Sequence, residues 1–106
     1  MQTPGELDAG RHDAVVVDAR WDTATDPHVL ELSLTLLTGA VKGEVVEIGF
    51  TAGSAALGRA LAALGLDMNA VTPGDTDLVT AGALGMPCTL VLARDRDGAL
   101  GYALEP

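Results

Sequence analysis

The chain has 106 residues, room for one domain, and Cys88 is its only cysteine, so no intramolecular disulfide can form. Its hydrophobic content of 48% supports a core, yet only 3% of residues are aromatic (Trp21, Phe50 and Tyr102), so that core is built from Leu, Val, Ile and Ala. Six basic residues against fifteen acidic ones give a formal charge of −9, which favours solubility, repels polyanions at long range and argues against a general nucleic-acid coat.

Residues 1–10 carry Thr3, Pro4, Gly5 and Gly10 without periodicity and read as a flexible N-terminal arm. Residues 11–106 read as a single domain. No apolar stretch follows Met1, and no apolar run approaches the ~18 residues that span a bilayer, so a cytoplasmic location without membrane contact is expected.

The first strand is expected from about His12 to Trp21. Its run Val15-Val16-Val17 is β-branched and continuous. If Val15, Val17 and Ala19 face the core, then Val16, Asp18 and Arg20 face outward, and Trp21 caps one end. The polar stretch Asp22 to Pro27 turns the chain. Next comes the cleanest pattern, a strand over His28 to Leu37. Leu30, Leu32, Leu34 and Leu36 share one face, and Glu31, Ser33 and Thr35 share the other, wet one. A turn at Gly39-Ala40-Val41-Lys42-Gly43 leads to a third strand, Glu44 to Phe50, with Val46, Ile48 and Phe50 on one side.

Ser54 is placed to cap a helix that runs to Leu64 and closes at Gly65. Leu57, Leu61 and Leu64 lie at helical spacing and would plug the end of a barrel. Asp67 to Gly82 reads mostly as loop, with one turn of helix near Asp77 to Leu84. Gly85-Met86-Pro87 launches a fourth strand, Cys88 to Arg94. Asp97-Gly98 marks a hairpin, and a fifth strand spans Ala99 to Leu104. Three strands, a helix and two more strands is the order of a five-stranded OB-like β-barrel with one short helix between strands three and four.

The chain resembles a family of small phage and prophage OB-like domains of unknown function associated with single-stranded-DNA binding. The resemblance is carried by Asp13 to Ala19 and the polar hairpin after it, the strand Leu30 to Leu37, and the turn Gly39-Ala40-Val41-Lys42-Gly43. The helix Leu57 to Gly65, ending in Ala63-Leu64-Gly65, and the step Gly85-Met86-Pro87 complete it. These pieces span roughly Asp13 to Leu104. Glu44 stands where the family pattern favours Arg, Met86 where Lys or Arg is frequent, and Thr51-Ala52-Gly53 where aromatic residues commonly follow the third strand. The resemblance implies a barrel that binds single-stranded DNA in replication or recombination.

Such binding needs cations for phosphates and flat rings for bases. The candidates are Arg20, Lys42, Arg94 and Arg96, with Trp21 and Tyr102 as rings; Arg11 and Arg59 are less clearly placed. Against them stand Glu31 and Glu47 on the wet face and Asp22, Asp26, Asp95 and Asp97 around the loops. Other chemistry is sparse. Asp95-Arg96-Asp97-Gly98 lacks the distal glutamate of a calcium loop. His12, His28 and Cys88 have no metal-ligand spacing. The segment Gly49 to Ala55 lacks the lysine of a phosphate loop. Neither cofactor nor metal is expected, and no nucleophile with a nearby base emerges. Two readings follow. One is a non-enzymatic single-stranded-DNA-binding module. The other is a protein-interaction or self-assembling module, with Val16, Leu37 and Val45 as exposed apolar candidates.

Overall fold

A computed structural model describes residues 9–38, 42–67, 71 and 73–106. The turn expected at 39–41 therefore falls, except for Lys42 and Gly43, outside the described residues, as do residues 1–8 of the expected arm. The leucines at alternate positions of β2 (Val29–Leu36) are all at most 1% exposed. Their strand lies between β3 (Val45–Thr51) and β1 (Gly10–Asp22), and β1 in turn pairs with β4 (Pro87–Arg94), which pairs with β5 (Leu100–Glu105). The protein is mainly β, five antiparallel strands in a single sheet of order β3-β2-β1-β4-β5.

Two helices, not one, separate β3 from β4: α1 (Ala55–Ala63) and α2 (Thr76–Ala83). Ser54 caps α1 through its Oγ, which accepts the Leu57 N–H at 3.1 Å. Gly65, with φ +77°, ends it in a conformation that favours glycine. Leu57, Leu61 and Leu64 are buried as their spacing requires.

The second helix lies where one turn of helix is expected near Asp77 to Leu84 but runs for eight residues, and the reason is the far half of β1. The β1–β4 ladder stops at Val15↔Pro87, whereas β1 continues to Asp22 beside β2. Beyond that point the other edge of β1 has no strand to bond. Thr76 and Thr80, one helical turn apart, supply the missing partners. Thr76 Oγ1 accepts the Trp21 N–H at 3.0 Å, and Thr80 Oγ1 donates to the Ala19 carbonyl at 2.7 Å. The i, i+4 spacing of two hydroxyls on one helix face thus substitutes for a strand edge.

The facing expected along β1 is reversed over its first half. Val16 is 1% exposed and Val17 is 46% exposed. The cause is a β-bulge: Val16 pairs with Leu34 and Asp18 with Ser33, leaving Val17 as the extra residue. The inward set is therefore Ala14, Val16, Ala19 and Trp21. The turn between α2 and β4 fastens onto the bulge, with Gly85 N–H donating to Val16 O at 2.8 Å and Val16 N–H to Met86 O at 3.1 Å.

The closed barrel expected from the strand order is also corrected. β3 and β5 are the sheet edges, and among the described residues no backbone ladder joins them. Instead, one side chain spans the seam. Tyr102 Oη donates to Gly49 O at 2.6 Å and accepts the Gly49 N–H at 3.2 Å. The Tyr102 ring meets Phe50 edge-on, with centroids 5.6 Å apart. A phenol is longer than the ~4.8 Å spacing of paired strands, so this contact holds the two edges together and too far apart for a ladder.

Two stability predictions follow from these contacts. Tyr102→Phe keeps the ring contact and removes both bonds to Gly49; it should cost about 1–2 kcal/mol in urea unfolding, with the unfolding slope unchanged. Thr80→Val should lower the melting temperature by roughly 4–8 °C per ~1 kcal/mol lost, because it strands the Ala19 carbonyl. Thr80→Ser, which keeps the hydroxyl, should recover most of the difference.

Candidate docking face

Alternation along β1, β2 and β3 sends one set of side chains into the core and the other to the opposite, helix-free side of the sheet. The pairings order that outer side into rows. Val45, Thr35, Val15 and Pro87 are successive partners across four strands. On one flank lie Glu47, Ser33 and Asp18, again direct partners. On the other, Leu37 N–H donates to Asp13 O at 2.8 Å, and Asp13 pairs with Thr89, which pairs with Glu105. Leu37 is 42% exposed, and Val17 and Leu84 are each 46% exposed. Val17, the extra residue of the bulge, borders the apolar row, and the α2–β4 turn fastens to the strand beside it.

The charges on this side are unbalanced. Arg11 and Arg20 are its guanidiniums; Asp13, Asp18, Asp22, Glu31, Glu47 and Glu105 are its carboxylates. Both guanidiniums are engaged. Arg11 pairs with Glu105. Arg20 Nε donates to Glu31 Oε2 at 2.9 Å, and its Nη2 lies 3.8 Å from Glu47 Oε1. The hydrogen bond to Glu31, then the charges of Glu31, Glu47 and Asp18, raise the pKa of Arg20 further. Arg20 thus ties β1, β2 and β3 together across the sheet.

The residues expected to bind nucleic acid are dispersed. Arg20 and Trp21 lie near the C-terminal end of β1. Arg94 lies beyond the other end, since Gly10 pairs with Leu92. The intervening strand is roughly 30 Å long at ~3.3 Å per residue. Arg94 donates through Nη1 to Gly98 O at 3.1 Å inside its own hairpin, and Arg96 is exposed on the same turn. Lys42 is exposed on the β2–β3 turn, at the same end of the sheet as Arg94 and Arg96. Neither ring is displayed for stacking. Trp21 is 6% exposed, its Nε1 buried without an acceptor among the described residues, and Tyr102 is committed to the seam.

Open concavities flank these elements, among them one of about 380 Å³ at Ala93 to Asp95 and Ala99 to Gly101 and two others. One, of about 360 Å³, is lined by Arg20, Trp21, Asp22, Thr23, Ala24 and Glu31. The other, of about 590 Å³, is bounded by Pro73 to Asp77 at the start of α2. No group of three or more His, Cys, Asp or Glu side chains arranged to hold a metal occurs among the described residues. No described helix is long and apolar enough to cross a membrane.

The outer apolar row is not legible in the sequence, because simple alternation with Val17 and Ala19 points Val15 into the core. Only the bulge places it beside Thr35, Val45 and Pro87. The acidic flank was visible in the alternation of Glu31, Ser33 and Thr35.

Cys88 faces the core, and burial pushes its thiol from 9.0 up to about 11. At pH 8 the folded protein should therefore resist a thiol reagent that labels the urea-unfolded chain completely. The raised pKa means the folded state holds this proton more tightly. Its contribution to stability is intact below pH 9 and is lost as pH climbs from there through about 11. Cys88→Ala should flatten that part of a pH–stability curve.

No protein-family model and no curated protein matches this sequence.

Proposed function

We propose that the chain is a non-enzymatic binding module of OB-like build, and that it works by docking another protein on the outer face of β1, β2 and β3. The OB-like assignment is supported by the strand order, by a first strand shared between β2 and β4, by α1 between β3 and β5, and by edges that meet through Tyr102. The observation that carries the docking reading is the outer face itself. Among the described residues it is free of helices, carries an apolar row, and surrounds that row with carboxylates whose neighbouring guanidiniums, Arg11 and Arg20, are already paired. A surface of this sign repels phosphates and has no ring on which a base could stack.

Single-stranded-DNA binding is the second reading. It is favoured by the resemblance to phage OB-like domains and by Lys42, Arg94 and Arg96 standing at one end of the sheet. Fluorescence anisotropy with a labelled oligothymidylate at low ionic strength separates the two, since attraction to phosphates is greatest there. The expected result is no saturable binding. Saturable binding that Lys42→Glu and Arg96→Glu each weaken at least tenfold would make the nucleic-acid reading the correct one.

A further inference from the structure

We infer that the partner of the outer face is a basic amphipathic helix from another protein, laid along the row Val45, Thr35, Val15 and Pro87. The inference rests on the docking reading and specifies its occupant.

The row crosses four strands, about 14 Å at ~4.8 Å per strand step. That length matches nine to ten residues of α-helix at ~1.5 Å each, with apolar anchors at i, i+3 and i+7. Val17, nearly half exposed, extends the row at the bulge. The carboxylates lie on both flanks: Asp18 and Glu47 on one side, Asp13 and Glu105 on the other. Each flank is two residues along the strand from the row, or three on β1 where the bulge intervenes, about 7 Å away.

This double flank decides the partner's shape. An extended strand sends alternate side chains to opposite faces, so it could fill the row but not reach both acidic lanes. A helix presents an apolar stripe bordered on each side by longer side chains, and Lys or Arg there would reach outward to the two lanes. The same charges disfavour a second copy of this chain. Face-to-face pairing would set Asp13, Asp18 and Glu47 of one copy against those of another, within a protein of formal charge −9.

The test is an NMR titration of the isotope-labelled protein with three synthetic helical peptides that share one leucine stripe and differ only in flanking residues: Lys, Gln or Glu. The Lys peptide should shift amide signals of Val15, Val17, Thr35, Val45 and Glu47, and added salt should weaken it. Val45→Lys should reduce its affinity at least tenfold. Glu47→Gln, which removes one acid of the lane and the longer of Arg20's two ion pairs while leaving the one to Glu31, should reduce it about threefold. Asp97→Lys, on the remote β4–β5 turn, should change it less than twofold. Equal binding of the Lys and Gln peptides at this face would overturn the basic partner while sustaining a docking face. Shifts mapping elsewhere, or an equal effect of Asp97→Lys, would overturn the site. The absence of binding by all three peptides would overturn the occupant and the docking reading together.

Discussion

A central strand thirteen residues long must satisfy hydrogen bonds on both edges, and β1 does so with four different partners. One edge is β2 from Ala14 to Asp22. The other is β4 as far as Val15, then the Gly85–Met86 turn at Val16, then the hydroxyls of Thr80 and Thr76 at Ala19 and Trp21. Buried backbone groups left without partners are costly. This need accounts for the position of α2 and for the site of the bulge. The bulge falls where β1 passes from strand partner to helix partner, and its extra residue bends the sheet there.

That bend brings β3 and β5 toward one another around a core of Leu, Val and Ile. Because the ladder does not close, the last step falls to a side chain. Gly49 is suited to receive it. Its outward-facing N–H and C=O both meet Tyr102 Oη, and a Cβ at this position would come within 3.1 Å of Val29 Cγ1. Phe50, the next residue, turns inward and supports the Tyr102 ring. The tyrosine is therefore a structural clasp. The same commitment removes it from any role in stacking on a base.

Much of this was readable from residue order. Strict alternation from Leu30 to Leu36 fixed the face and register of β2, because a one-residue slip would expose four leucines. Ser54 and Gly65 bracketed α1 by capping chemistry. The facing of β1 was not readable. Three consecutive valines fit either parity, and a bulge within them leaves no local mark in the residue pattern. The place of α2 was readable as a helical turn near Asp77 to Leu84, but its full length was not, since Thr76, Thr80 and Gly82 are poor helix formers. Its stability comes from packing on β1, with Val79 and Ala83 buried, which is a tertiary contribution. The dispersal of Arg20, Arg94 and Arg96 followed from strand direction once β1 and β4 were paired. The ion pairs that occupy Arg20 required the register itself.

These features together assign different work to the two sides of the sheet. The inner side holds the leucine core, both helices and the two aromatic residues that would otherwise be available for stacking. The outer side keeps short or branched residues in a row, with acids on either hand and its arginines neutralised in place. Arg20 matters most in that arrangement. Were it unpaired, it would offer an anion a foothold in the middle of the face. Held by Glu31 and Glu47, it cross-braces three strands and leaves the surrounding field negative. The ligand class proposed above rests on what that field attracts, a cation, and on what the row can anchor, an apolar stripe.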